Sequence, residues 1–232
     1  SMDETVRIVD SYIQKGRSLH LMGVNADKIN ELNVNERLEK IVNGCEVINA
    51  DGASVVWASK ILKKPLKERV AGIDLMERLI ELSEKRRYRI YMLGAKQPVV
   101  EKTVEVIREK YPSINIVGYR NGYFSENDWD KIAHEIACSG AQVIFVGITS
   151  PLKEYLVEYF QNKGVPGVFM GVGGSFDVIS GKIPRAPLWM QQIGMEWLFR
   201  VMQEPGRLWK RYFMGNARFV ISVYREKCRK SE

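Results

Sequence analysis

Short apolar runs recur through the first 184 residues and read as strands over 19–23, 45–50, 89–94, 115–118, 142–147 and 168–171. Most end in glycine or another small residue, and most lead into a segment of helical character. Residues 74–85, 99–111, 128–139 and 152–163 space their apolar positions near 3.6 residues, and a further helix is expected over 53–62. Pro98 and Pro151 stand where a first helical turn tolerates a missing N–H. Strand and helix alternating in this way predict an α/β, Rossmann-like fold with a mostly parallel, doubly wound sheet. Ligands of such sheets gather beyond the carboxyl ends of the strands. The loops there are the place to look for chemistry.

After residue 181 the pattern changes. Pro184, Pro187, Pro205 and Gly206 are expected to break the chain into short helical pieces. Leu208, Trp209, Tyr212 and Phe213 fall at i, i+1, i+4 and i+5, and Phe219, Val220, Val223 and Tyr224 repeat the spacing. Each set makes one apolar stripe, with Lys210, Arg211, Arg218, Arg225 and Lys227 on or beside the opposite face. The chain therefore divides into a Rossmann-like body, 1–184, and a helical, basic and aromatic C-terminal appendage, 185–232.

Charge sharpens that division. The net charge is +7, from 35 bases and 28 acids. Ten of those bases and only four of the acids lie from Arg185 onward, so the appendage carries +6 and the body +1. Trp189, Trp197 and Trp209 are interleaved with these bases. Such a mixture suits a phospholipid headgroup layer, anionic at one depth and greasy just beneath it. A helix pair docked on the sheet with its bases in solvent is the other reading. No helix-turn-helix, zinc-finger or RNP-like arrangement is present, so a nucleic-acid partner is not expected. The best apolar run of the tail, 219–224, is closed by Arg218 and Arg225, far short of the roughly 20 residues a span requires. Membrane contact is thus expected to be peripheral. Three scattered cysteines and two histidines argue against a zinc site and for a reducing cytoplasm. Ser1 before Met2 reads as a tag scar, with the native start upstream.

Several loops carry candidate chemistry. Asn49-Ala50-Asp51-Gly52 puts a carboxylate at the mouth of the sheet, where Asp51 is either a general base or a helix cap. Gly171-Val172-Gly173-Gly174-Ser175 is either an anion-binding loop, its backbone amides approaching a phosphate, or a tight turn. Asp177 either receives a base edge or caps its own helix. Gly94-Ala95-Lys96-Gln97-Pro98 repeats the strand–glycine–helix arrangement and adds a cation. Lys153 opens another helix near the mouth, and Tyr123 is placed to pack on a planar base or to serve its own loop. Asp128-Trp129-Asp130 is not read as a metal site, because two carboxylates two residues apart on a helix point about 200° apart.

Together, Asn49-Ala50-Asp51-Gly52, Glu68-Arg69-Val70-Ala71-Gly72, Asn121-Gly122-Tyr123-Phe124, the glycine loop running into Ser175-Phe176-Asp177, and Pro184-Arg185-Ala186-Pro187 resemble one family. So do Glu196-Trp197-Leu198-Phe199-Arg200 and Gln203-Glu204-Pro205-Gly206-Arg207-Leu208-Trp209. This is the WecG/TagA/CpsF glycosyltransferase family. The resemblance implies a bacterial enzyme that moves a hexose or N-acetylhexosamine from a UDP-sugar to a polyprenyl-diphosphate-linked saccharide. It implies inversion, no metal and no cofactor, at the cytoplasmic face of the membrane. Asp51 matches the family's proposed base. Arg200 and Arg207, with Lys210 beside them, match positions facing a diphosphate, and Arg185 is grouped with them. Asn25, Gly94, Tyr123, Lys153, Gly173, Gly174, Ser175 and Asp177 are assigned to the donor. Gly23 stands where the family has Thr, and Leu152-Lys153 where many members have Lys-Gln. The resemblance also implies a strand ahead of Asp3 that this sequence lacks, as an N-terminal truncation would. UDP-N-acetylmannosamine is the expected donor, with UDP-glucose or a UDP-uronic acid as the alternative. A non-catalytic sugar-nucleotide or polyanion-binding protein is the rival of another class, and self-association is left open.

Overall fold

The computed structural model describes residues 1–229, with all their side chains except those of Arg207 and Arg211. Lys230, Ser231 and Glu232 lie outside it. Six strands form one sheet: β1 (Leu19–Val24), β2 (Val47–Ala50), β3 (Arg89–Gly94), β4 (Asn115–Arg120), β5 (Val143–Gly147) and β6 (Val168–Gly171). Their order is β2-β1-β6-β5-β3-β4 and every pairing is parallel. Central β5 reads Val143-Ile144-Phe145-Val146-Gly147 and is buried throughout, as a strand covered on both faces must be. The edge strands are wetter, with Ile48 of β2 and Tyr119 of β4 exposed.

Helices cover both faces. Met2–Gln14 (α1) precedes β1, which is followed by Ala26–Leu32 (α2) and Glu36–Asn43 (α3). Ala53–Ile61 (α4) and Gly72–Arg86 (α5) connect β2 to β3, Gln97–Lys110 (α6) connects β3 to β4, and Trp129–Ser139 (α7) follows β4. Leu152–Asn162 (α8) joins β5 to β6, and Ser175–Ile179 (α9) comes next. One apolar cluster packs α1, α5, α6 and Phe176 of α9 on one face of the sheet; the other packs α7 and α8 on the opposite face. Neighbouring strands β1, β6, β5 and β3 thus send their next helices to alternate faces. Their carboxyl ends splay around one broad cleft.

The boundaries differ from the sequence pattern for local reasons. Strand β2 starts at Val47 because Cys45 still belongs to the end of α3, donating its backbone N–H to Val42 O and its thiol to Ile41 O. The tail departs more. It forms Leu188–Gln192 (α10), Glu196–Gln203 (α11) and one 25-residue helix, Pro205–Arg229 (α12). Pro205 and Gly206 do not break α12; they begin it, where a missing N–H costs nothing. Gly215 does not break it either, since α12 lies against α2 there. Asn30 Nδ2 donates to Gly215 O at 2.7 Å, and a Cβ on Gly215 would come within 2.7 Å of Asp27 Oδ1. The expected helix pair on the sheet is therefore corrected to one helix, docked on α2 and α4 rather than on strands. Phe219 and Val223 are buried with Ala26 and Ala58.

Candidate functional site

The cleft at the strand ends encloses about 1020 Å³. Loops after all six strands line it, together with Arg200, Gln203, Glu204, Leu208 and Tyr212 of the tail. The tail is therefore a wall of the site.

Asp51 sits at the carboxyl end of β2, inside this cleft. It does not cap the helix that follows it: Gly52 is the N-cap of α4 and α4 has no side-chain cap bond. Instead Asp51 Oδ1 accepts from the N–H of Gly72, the first residue of α5, at 2.8 Å. Its backbone oxygen accepts from Arg69 Nε at 2.7 Å. The first bond fixes the carboxylate and leaves Oδ2 without a hydrogen-bond partner among the described residues. Gly23 is next to it, close enough that an added Cβ would lie 3.6 Å from Asp51 Cβ.

Arg69 is the first residue the sequence reading missed. Its terminal nitrogen binds Glu196 at 2.8 Å, and Glu196, only 8% exposed, also faces Arg185. Arg185 in turn pairs with Asp74. A relay of charges thus ties α11 of the tail to the loop holding Asp51 and to α5. Being one of only four acids in a basic tail was the available signal for Glu196, and the phrase Glu68–Gly72 carried no chemical cue for Arg69.

Of the expected site residues, the cleft gathers Asn25, Asp51, Tyr123, Lys153, Gly173, Gly174, Ser175, Asp177 and Arg200. Asn25 also caps α2 through Lys28 N–H. Tyr123 is 70% exposed at the rim. Space is open above Gly173 and Gly174, whose loop turns through the positive φ of Gly173, 51°. Asp177 makes no cap and binds Lys182 Nζ at 2.6 Å. The Arg200 guanidinium has no hydrogen bond or ion pair to any described residue, while its carbonyl accepts from Glu204 N–H. Gly94, Arg185 and Lys210 do not line the cleft. At Gly94 the φ is 144° and a Cβ would meet Gly147 backbone at 2.5 Å, so glycine lets β3 and β5 close together. Arg185 is occupied by the relay, and the Arg207 side chain lies outside the described residues. Asp128 and Asp130 are far from duty as a pair: Asp128 accepts from Ser125, and Asp130 binds Lys163 at 2.8 Å.

In the floor of the cleft Lys153 stands in a group whose other members, Lys28, Glu154 and His20, the sequence reading missed. Lys28 and Lys153 share the Oε1 oxygen of Glu154, which is fully buried, with Lys153 Nζ 3.3 Å away. Burial pushes the Glu154 carboxyl up, and Lys153 and Lys28 outweigh it to hold the group below the usual carboxylate range. Burial lowers Lys28. Beside them His20 is buried, and that burial depresses it to about 4, so it is neutral near pH 7. Among the described residues no three His, Cys, Asp or Glu side chains come together as a metal site would need.

The Rossmann-like α/β body carries a polar cleft walled by a basic tail, and its family profile makes this protein a glycosyltransferase. More narrowly, the chain belongs to the glycosyl transferase WecG/TagA/CpsF family, whose profile matches residues 1–232. It is similar to the N-acetylglucosaminyldiphosphoundecaprenol N-acetyl-beta-D-mannosaminyltransferase of Bacillus spizizenii, 31% identical over 213 residues, covering 92% of this chain and 81% of that protein. The protein of the same name from Bacillus subtilis (strain 168) is 33% identical over 186 residues, 80% of this chain and 71% of the relative.

Proposed function

We propose that this enzyme transfers a sugar from a UDP donor to the saccharide of a polyprenyl-diphosphate lipid, with inversion, in bacterial cell-surface polysaccharide synthesis. The observation that carries the proposal is that Asp51 of the sheet body and Arg200 of the tail line one cleft. Asp51 Oδ2 takes the proton of the acceptor hydroxyl as its oxygen bonds to the anomeric carbon. The bond from that carbon to the diphosphate breaks, and UDP leaves with the electron pair. Arg200 and the amides around Gly173 and Gly174 receive the charge that develops there, which is the largest single contribution such a site can make. No step calls on a metal. The names of the relatives point to N-acetylmannosamine as the sugar and to N-acetylglucosaminyl-diphosphoundecaprenol as the acceptor.

The acceptor's lipid favours work at the cytoplasmic membrane surface. No described helix is long and apolar enough to cross a bilayer. Helix α12 nevertheless has two apolar flanks. With successive residues about 100° apart, Leu208, Phe219 and Val223 cover the inner arc, and all three are buried. Trp209, Phe213, Val220 and Tyr224 cover the adjoining arc, and all four are exposed. Exposed Lys210, Arg218 and Arg225 flank them. The second flank suits peripheral docking beside the acceptor.

The test is UDP release. Purified protein with UDP-N-acetylmannosamine and a prenyl-diphosphate N-acetylglucosamine should release UDP and lengthen the lipid by one sugar, with chelator present. Release that ignores the acceptor, or none with any UDP-sugar, refutes the proposal. Co-sedimentation with anionic vesicles tests the docking flank.

A further inference from the structure

Helix α11 is anchored by an acid. Its apolar residues Trp197, Leu198, Phe199 and Val201 stay at least partly exposed, and its one buried side chain is Glu196. Burying a carboxylate is costly unless it is paired. Glu196 Oε2 meets a terminal nitrogen of Arg69 at 2.8 Å, whereas Oε1 faces Arg185 Nε at 3.9 Å, beyond hydrogen-bond range. Among the described residues, Arg69 therefore makes the one hydrogen bond to this carboxylate.

The same guanidinium reaches Asp51. Arg69 Nε donates to Asp51 O at 2.7 Å, so one planar fork spans the tail carboxylate and the Asp51 backbone and fixes their separation. Asp51 has two further ties, its N–H to Val24 O at 2.9 Å and its Oδ1 to Gly72 N–H at 2.8 Å. Those two come from the body; the tie through Arg69 leads to the tail. The peptide plane between Asp51 and Gly52 carries the carbonyl that Arg69 holds, and α4 beyond it has no side-chain cap to fix that plane instead. Rotation of the plane would carry the Asp51 carboxylate with it. Arg69, Arg185, Glu196 and Asp74 balance in charge, two against two. No cation of the four is left over for an anionic ligand, so the set acts as a brace.

We infer that Glu196 is a positioning residue for Asp51, acting through Arg69, so that a carboxylate of the tail sets the aim of the proposed base. The inference rests on the proposed transfer reaction and adds a residue to it. Arg200 follows Glu196 by one turn of α11, and both line the cleft. The base and the cation are thereby registered against one buried group. A shift of about 1 Å in reacting geometry can cost about 100-fold in rate.

The test combines kinetics with amide exchange. Glu196→Gln keeps the shape and one oxygen acceptor but removes the charge that holds Arg69. It should lower kcat about 10–100-fold and leave the KM for UDP-sugar and the affinity for UDP within about twofold. In an Asp51→Asn background the same substitution should cost about twofold or less, because the base it aims is already gone. Arg69→Lys, with one nitrogen in place of the fork, should repeat both results and serves if Glu196→Gln misfolds. With no substrate present, Gly72 N–H should exchange about tenfold faster in Glu196→Gln than in the wild type. Additive losses in the double variant overturn the inference, since Glu196 then supports the fold independently of Asp51. So does a raised KM with kcat intact, which would place the carboxylate in donor binding. Full turnover in Glu196→Gln beside a loss in Asp51→Asn sinks the inference and leaves the proposed function standing. Full turnover in Asp51→Asn removes the base and the inference together. If no donor releases UDP, the proposed function falls and the Gly72 exchange decides alone: faster exchange upholds the brace, unchanged exchange overturns it.

Discussion

The two walls of the cleft are built differently. The body wall stands on strands whose residues are buried between two large clusters, with Leu19, Ile90, Phe145, Val168 and Phe176 wholly inaccessible. The tail wall rests on a small cluster, Ala26, Ala58, Phe219 and Val223, and on the ion-pair relay from Arg69 through Glu196 to Arg185. Loss of contacts costs the second wall proportionally more. The proposed chemistry is divided in the same way, with the proposed base Asp51 on the body wall and Arg200 on the tail wall.

Four experiments break or sharpen that contrast, the largest effect first. Truncation after Gly194 removes the tail wall and should abolish transfer, while circular dichroism and a cooperative melt show the sheet intact; an active truncate would sink the division of labour. Asp51→Asn keeps an acceptor for Gly72 N–H but cannot take a proton, so turnover should fall about 10²–10⁴-fold with the melting temperature unchanged. Unaltered turnover in that variant would reduce Asp51 to the α5 contact alone. Phe219→Ala should cost about 3–5 kcal/mol at the tail, seen as lost hydrogen-exchange protection in α12 with β5 unaffected. Equal loss in both would show one cooperative unit. The last concerns the body wall. His20 binds a proton at about 4 when folded and near 6.5 when unfolded, so the unfolded chain holds more protons between those values. Stability is therefore full above pH 6.5 and declines as pH falls toward 4, by up to about 3 kcal/mol. Denaturant midpoints should show this for the wild type and a flatter profile for His20→Gln.

The sheet was legible because its strands are short apolar runs with period and punctuation of their own. Val143–Gly147 reads as a buried strand from composition alone. Asp51, the glycine loop, Lys153 and Arg200 were singled out because each occupies a loop or phrase with a chemical cue, and all of them line the cleft. Misreadings came where context outranks local rules. Pro205-Gly206 looks like a break but starts α12, and Gly94 looks like a ligand glycine but allows two strand ends to meet. Arg185 was grouped with the diphosphate-facing cations, whereas it pairs with Asp74 and Glu196, which are distant in sequence.

The order of residues by itself determined the alternating strands and helices, the basic aromatic tail and the loop that carries Asp51. These follow from interactions a few residues long: periodicity, turns, caps and local charge density. Only the tertiary structure decided which flank of α12 is buried, that the tail closes the cleft, and that Lys28, Lys153 and Glu154 meet on its floor. Such pairings join residues more than a hundred positions apart, and their energy depends on burial that no stretch of sequence possesses before the sheet has formed.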